Sequence, residues 1–145
     1  MHVSKLFLLF FAAVLLCPSN GFLYRVEQFV KAKGRLLCGT APAANVLVKL
    51  VDEDRGPSLD DVMGTVRTNA NGEFYVNGSA SEMGNIDPFL KIYHDCNDAG
   101  VPCQRKTKLR IPDKYISRGN ASETADIGVI NLEVDVRKEA RECSS

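Results

Sequence analysis

Residues 125–136 read Ala-Asp-Ile-Gly-Val-Ile-Asn-Leu-Glu-Val-Asp-Val, and apolar and polar side chains alternate from position 130 onward. Alternation with a period of two puts apolar side chains on one face of an extended strand and polar side chains on the other. The stretch therefore predicts a half-buried β-strand. The residues expected on its inner face are Gly128, Ile130, Leu132, Val134 and Val136.

Six further short segments carry strand signals, with turns between them. They are residues 26–36, 45–51, 62–68, 73–76, 89–96 and 103–111. Residues 45–51 are rich in valine and almost wholly apolar, which is typical of a central strand. Asn71-Gly72 supplies the positive φ that a tight hairpin requires. Seven short strands and no convincing 3.6-residue apolar repeat predict an all-β protein, an antiparallel sandwich of two sheets.

Residues 1–21 predict a secretory signal peptide that is removed from the folded protein. A run of twelve apolar residues ends at Pro18, and Ser19 and Gly21 then put small residues at the −3 and −1 positions of a cleavage site. Twelve helical residues span about 18 Å, which is too short for the ~30 Å hydrocarbon core of a membrane. We therefore expect a secreted, extracellular protein that does not span a membrane, with one domain at residues 22–145.

The overall composition gives no support to two classes of protein, nucleic-acid-binding proteins and disordered chains. Eighteen basic residues balance 18 acidic ones, so net charge gives no reason to expect a nucleic-acid partner. A hydrophobic content of 45% can fill a core, which argues against a disordered chain. We also expect no cofactor.

A secreted chain is expected to carry disulfides and glycans. Loss of the signal removes Cys17 and leaves an even number of cysteines, which predicts two disulfides with three alternative pairings. These cysteines lack the paired C-x2-4-C clusters of a structural zinc site. They are Cys38, Cys96, Cys103 and Cys143. Sequons at Asn77 and Asn120 are glycosylation candidates.

Specific motifs are concentrated in the C-terminal half of the chain. They are Ile86-Asp87-Pro88-Phe89-Leu90-Lys91-Ile92-Tyr93-His94-Asp95-Cys96, Cys103-Gln104-Arg105-Lys106, Ile111-Pro112-Asp113-Lys114-Tyr115-Ile116 and Asp126-Ile127-Gly128-Val129-Ile130-Asn131-Leu132-Glu133. Over about residues 27–143 the chain resembles the nematode transthyretin-like family. The resemblance implies a seven-stranded transthyretin-type, prealbumin-like β-sandwich in a small secreted protein.

Two activities associated with transthyretin relatives do not fit these residues. Thyroid-hormone carriage by a tetramer uses C-terminal interface strands, whereas residues 137–145 are mostly polar and charged. Hydroxyisourate hydrolases use histidines, an arginine and a C-terminal Tyr-Arg-Gly-Ser, whereas this chain ends in Glu-Cys-Ser-Ser. The predicted mature chain keeps one histidine, His94, for which we expect a structural or hydrogen-bonding role. We therefore expect no enzymatic activity.

The resemblance also suggests a disulfide pairing. In a transthyretin-type sandwich the first and last strands are parallel neighbours, so their C-terminal ends leave the same side of the molecule. That arrangement predicts Cys38–Cys143. The six residues between Cys96 and Cys103 form a hairpin-sized connection, and a second bridge is predicted there.

Two charged stretches are candidate sites. Carboxylates at Asp52, Asp54, Asp60 and Asp61, with Glu53, could ligate a cation such as calcium, although their spacing departs from the EF-hand pattern and a solvated acidic loop is the alternative. Cations gather in the other stretch, where they could bind an anionic phospholipid or a sulfated glycan, or simply be solvated. These cations are Arg105, Lys106, Lys108, Arg110, Lys114 and Arg118. Lys106, Lys108 and Arg110 are expected on one face of a strand, and Arg105 on the other.

The leading hypothesis is a secreted, non-enzymatic binding protein. The resemblance suggests one form of it, a bridge between anionic phospholipid and a cell-surface receptor. The first alternative is a carrier of a small apolar ligand, and the second is an enzyme of the hydroxyisourate-hydrolase type. The sequence leaves the oligomeric state open.

Overall fold

The computed structural model describes residues 24–53, 60–119, 123–134 and 140–143. Its strands are β1 (Val26–Cys38), β2 (Ala41–Pro42), β3 (Leu47–Asp52), β4 (Asp61–Arg67), β5 (Glu73–Glu82), β6 (Pro88–His94), β7 (Gln104–Arg110), β8 (Thr124–Asn131) and β9 (Ala140–Glu142). A 3₁₀ turn at Asp113–Tyr115 follows β7. No helix in these ranges has the length and apolarity needed to cross a membrane. The predicted signal peptide lies outside the described residues.

The strands form two sheets, as predicted for an all-β sandwich. In the first, called sheet A, β1 pairs antiparallel with β2 and β5 and parallel with β8. The second, called sheet B, has the order β4-β3-β6-β7-β9 with every pair antiparallel. Two strands more than the predicted seven are present in the described chain, and both extra strands, β2 and β9, are short.

The core lies between the sheets and is built from alternate residues of the strands. Val30 and Leu36 of β1, Leu50 of β3, and Leu90 and Ile92 of β6 are fully buried there. Each such side chain stabilises the fold by about 1.5–3 kcal/mol relative to full exposure. The intervening residues point outward, as the alternation in residues 26–36 and 105–110 predicts.

The two sheets approach each other closely where β4 passes β5. A Cβ atom on Gly64 would collide with the backbone carbonyl of Asn77, and one on Gly78 with that of Met63. Glycine is therefore required at both positions, because only a bare Cα allows the two backbones to approach this closely.

The last predicted strand is shorter than the alternation suggested, since β8 ends at Asn131. Gly128 has a φ of 71° and lies at a bulge where the register with β1 shifts. The Asn131 side chain then accepts the backbone N–H groups of Gly39 and Glu133, which turns the chain out of the sheet. Leu132 is buried as predicted but Val134 is exposed, and residue 136 lies outside the described ranges.

The structure contains two disulfides, as expected, but the predicted pairing of the four cysteines is wrong. The bridges are Cys38–Cys96 and Cys103–Cys143, with Cα–Cα distances of 5.7 and 4.3 Å. Although β1 and β8 are parallel neighbours, the C-terminal segment does not return to β1. It joins sheet B as β9, where the register of Gln104 with Glu142 brings Cys143 beside Cys103. Cys38, at the end of β1 in sheet A, therefore bonds to Cys96, which follows β6 of sheet B.

Candidate functional site

The outer side of β7 carries the cations that the sequence placed there. Lys106, Lys108 and Arg110 alternate with Thr107, which is buried on the inner side. Arg105 also points inward and is only 7% exposed. Its Nη1 donates to the carbonyl oxygens of Cys96, at 2.6 Å, and Leu132, at 3.2 Å. Arg105 therefore joins strand ends inside the molecule and does not belong to a surface site.

The register of the central strands adds two lysines that the sequence analysis did not assign. Lys49 of β3 lies opposite Lys91 of β6, and Lys91 lies opposite Lys108 of β7. Adjacent strands lie about 4.8 Å apart, so the three side chains form a row across the sheet. Like charges directly opposite each other destabilise a sheet, which makes such a row unusual. The sequence did carry a signal, because Lys49 and Lys91 are each flanked on both sides by apolar residues.

In the described strands β3, β6 and β7, the outward residues near the row include cations and apolar groups but no carboxylate. We call this the basic face, and its cations are Lys49, Lys91, Lys106, Lys108 and Arg110. Two aromatic rings support it. The Lys49 Nζ lies 5.3 Å from the centre of the Tyr93 ring, and the Lys108 Nζ lies 4.1 Å from that of Phe89. Both distances fit cation–π attraction.

Carboxylates from the margins of the basic face pair with its cations. Asp60, just before β4, pairs with Lys91, and Glu53, just after β3, pairs with Lys108. Arg110 contacts the carboxylates of Asp87 and Asp113, each at 2.8 Å. Lys91 is only 13% exposed. An anionic ligand must therefore displace marginal carboxylates to reach the centre of the face.

The pair of Lys106 with Glu142 joins the basic face to β9. The Lys106 Nζ lies 2.5 Å from a carboxylate oxygen of Glu142. This hydrogen bond raises the pKa of Lys106 and lowers the pKa of Glu142. Burial, followed by the charge of Glu142, raises the pKa of neighbouring Tyr93. The Glu142 carboxylate therefore acts on both the cation and the phenol at this corner of the face.

The remaining two cations of the predicted basic stretch lie apart from the face. The Lys114 Nζ is 4.9 Å from the centre of the Tyr115 ring, and Arg118 donates to the side chain of Asn85 at 2.9 Å. Both follow β7 on the connection towards β8. The six cations proposed from the sequence are therefore divided among the basic face, the interior and this connection.

The predicted acidic loop distributes its carboxylates among separate partners. Asp52 is buried and accepts the backbone N–H of Asp87 at 2.7 Å, while Asp60 pairs with Lys91. Asp61 lies opposite Asp52 in the ladder of β3 and β4. Asp54 lies outside the described residues. Within the ranges that the structure describes, no three His, Cys, Asp or Glu side chains gather in a way that could hold a metal ion.

His94 lies at the end of β6 and is buried. Its Nδ1 accepts the backbone N–H of Cys96 at 3.2 Å, and its Nε2 lies 3.4 Å from the Thr107 hydroxyl. These contacts fix the turn that leaves β6.

Sheet A carries a different outer surface. An open groove of about 570 Å³ lies against Lys33, Arg35 and the ring of Tyr75, which is 49% exposed. Val129, 62% exposed, lies on its far side. Asn77, the first glycosylation candidate, is exposed on β5 opposite Lys31 of β1. Asn120, the second, lies outside the described residues.

Comparison with known proteins identifies the family. The sequence model of the Transthyretin-like family matches residues 33–112. The chain belongs to the transthyretin-like family. Transthyretin-like protein 46 of Caenorhabditis elegans is 46% identical over 142 residues, which are 97% of this chain and 76% of that protein.

Two further transthyretin-like proteins from the same organism give similar figures. Transthyretin-like protein 5 is 45% identical over 133 residues, covering 90% of this chain and 96% of the relative. Transthyretin-like protein 33 is 44% identical over 117 residues, covering 80% and 82%. All five cations of the basic face lie within the residues that match the family model.

Proposed function

We propose that this transthyretin-like protein is secreted and acts without catalysis, by attaching to anionic phospholipid at a cell surface through the basic face. The observation that carries this proposal is the outward row of Lys49, Lys91 and Lys108 across three adjacent strands, with no carboxylate on the same strands near the row. Residues 1–21, with their signal-peptide pattern, support secretion.

The expected interaction free energies favour displacement of the marginal carboxylates by an anionic membrane. A partly exposed pair such as Lys108 with Glu53 contributes about 0–1 kcal/mol. Each cation near an anionic bilayer contributes about 1 kcal/mol to binding, and the contributions of several cations add. A surface of many phosphate and carboxylate groups therefore competes with a few carboxylates that are held individually.

The geometry also leaves a second surface for a receptor. The outer face of sheet A points away from the basic face because the core lies between the two sheets. A molecule attached to lipid by sheet B would present the groove beside Tyr75 and the exposed Val129 to the solution. This arrangement suits a bridge between lipid and a cell-surface receptor, and it requires no catalytic group.

The experiment is a vesicle-binding measurement on the mature chain. Phosphatidylcholine vesicles with and without phosphatidylserine are compared, and the double variant Lys106→Glu/Lys108→Glu is tested beside the matched variant Lys31→Glu/Lys33→Glu. We expect the first variant to lose at least about thirtyfold in affinity, because two cations of about 1 kcal/mol each are removed. Binding of the parent should fall steeply with salt.

The matched variant makes the same charge change at alternate outward positions of β1. It should bind phosphatidylserine vesicles nearly as well as the parent. Equal losses in both variants would show attraction by net charge alone, and unchanged binding in the first variant would refute the basic face as the site. Circular dichroism must show that both variants are folded.

A second candidate function is the carriage of a small apolar ligand in the groove of sheet A. The exposed ring of Tyr75 and the exposed side chain of Val129 favour it, because they offer apolar area beside the cations Lys33 and Arg35. A fluorescent fatty acid should then bind in the groove. The variant Val129→Glu should lose this binding, while its binding to vesicles stays unchanged. Failure of the parent to bind such probes would exclude this carrier function.

A further inference from the structure

The two disulfides of the molecule lie in contrasting surroundings. Cys96 is 8% exposed and belongs to the apolar core, and Cys38 packs against that core. Cys143 is exposed and directly follows β9, whose three residues are all exposed. A reductant can therefore approach the Cys103–Cys143 bridge from solution, while the Cys38–Cys96 bridge is shielded by packing.

The turn that leads to Cys103 is strained. Between β6 and β7, the non-glycine residues Asn97, Ala99 and Cys103 have φ values of 49°, 54° and 72°. Left-handed backbone conformations are unfavourable for residues with a Cβ and persist where surrounding structure imposes them. Cys103 is held in this conformation at the start of β7, next to the ladder with β9. Opening the bridge would remove one of the constraints on it.

We propose that Cys103–Cys143 is a thiol–disulfide exchange site for a dithiol reductant of the C-x-x-C class, and that its opening releases β9 from β7. The attacking thiolate forms a mixed disulfide with the accessible Cys143 Sγ. The S–S bond breaks, its electron pair leaves on Cys103 Sγ, and that thiolate takes a proton from solvent. The second thiol of the reductant then displaces Cys143, so the reductant becomes a disulfide and the protein gains two thiols.

Arg141 of β9 also contacts the turn that carries Cys103. Its Nη1 donates to the backbone carbonyl of Cys103 at 3.1 Å and lies 3.9 Å from the carboxylate of Asp98.

Release of β9 would change the edge of sheet B. Apart from the bridge, β9 is held by a three-residue ladder to Gln104, Arg105 and Lys106 and by the ion pair of Glu142 with Lys106. The contacts of Arg141 with the Cys103 carbonyl and with Asp98 add to these. Without β9, the edge of β7 exposes backbone groups that can accept another strand. Lys106 also loses the carboxylate that faces it.

The first test is selective reduction of the mature chain. The protein is incubated with thioredoxin, thioredoxin reductase and NADPH, quenched with N-ethylmaleimide at intervals, and the labelled peptides are mapped. We expect Cys103 and Cys143 to be labelled at least tenfold faster than Cys38 and Cys96. Equal rates, faster labelling of the core pair, or no labelling while a control disulfide is reduced would each overturn the proposal.

The second test is hydrogen exchange, read separately from the rate of reduction. In Cys103→Ser/Cys143→Ser, those amides of residues 104–106 that point towards β9 should exchange at least tenfold faster than in the parent, while the amides of β1 and β6 stay protected. Unchanged protection at residues 104–106 would show that the bridge does not retain β9. If this variant fails to fold, the same exchange is measured on the selectively reduced parent.

Discussion

Strands β1 and β7 carry the same pattern of three outward cations at alternate positions, and the strands beside them make two different surfaces. On sheet A, Lys33 of β1 faces Asp126 of β8, and Arg35 faces Glu73 of β5. On sheet B, Lys108 faces Lys91, which in turn faces Lys49. An alternating run of cations therefore becomes a continuous basic face only when neighbouring strands repeat the charge in register.

The largest expected effect separates the two sides of one strand. Leu90 and Lys91 are consecutive on β6, but Leu90 is fully buried in the core while Lys91 belongs to the basic face. Leu90→Ala should lower the free energy of unfolding by about 2–5 kcal/mol, because it leaves a cavity in the core. Chemical denaturation measures the loss. A cost below 1 kcal/mol would mean that the sandwich is not packed as described.

A smaller effect compares one central cation from each face. Lys91→Gln should weaken binding to phosphatidylserine vesicles about fivefold, which corresponds to about 1 kcal/mol for one cation near an anionic surface. Lys31→Gln, on β1, should change that affinity by less than about twofold. If both substitutions weaken binding equally, the distinction between the two faces has no functional meaning.

The smallest effect is a dependence on pH at the corner of the basic face. The depressed pKa of Glu142 means that its pairing stabilises the fold above the ordinary carboxyl pKa and is lost as pH falls through the depressed value. The raised pKa of Lys106 means that its contribution to stability is fully present below the ordinary lysine pKa and is lost as pH rises through the raised value.

The pair should therefore stabilise the fold across the neutral range and lose this effect in acid, by no more than about 0.5 kcal/mol because it is partly exposed to solvent. Carboxyl chemical shifts from NMR give the titration of Glu142, and Lys106→Gln should bring it back towards the ordinary value. On sheet A the pKa of Asp126 is lowered chiefly by the backbone N–H of Gly128, with Lys33 secondary. Lys33→Gln should therefore shift Asp126 less than Lys106→Gln shifts Glu142.

Alternation along the chain predicted the strands and the direction of their side chains, because both depend on residues that are neighbours in sequence. The outward placement of Lys106, Lys108 and Arg110 and the inward placement of Arg105 follow from that alone. The row of Lys49, Lys91 and Lys108 does not, because it depends on the register of three strands.

The disulfide pairing failed for a related reason. The family resemblance correctly implied the parallel contact of β1 with β8, but this contact does not determine which sheet the chain joins after β8. Residues 140–142 form a short strand of three exposed residues without an apolar pattern, so nothing local marks them as part of sheet B. Their place is fixed by pairing with β7 and by the bridge from Cys143 to Cys103, both of which are long-range contacts.

The parallel contact of β1 with β8 also sets the order in which the protein can assemble. Gly39, just after β1, hydrogen-bonds to Asn131, which lies 92 positions later in the chain. During synthesis β1 can pair early with β5, but its other edge stays open until β8 has emerged. Closure of sheet A therefore waits until β8 has been synthesised, and non-local pairings of this kind slow folding. An unfinished chain would present an open, lysine-bearing β1 edge, where lysine discourages pairing with other chains.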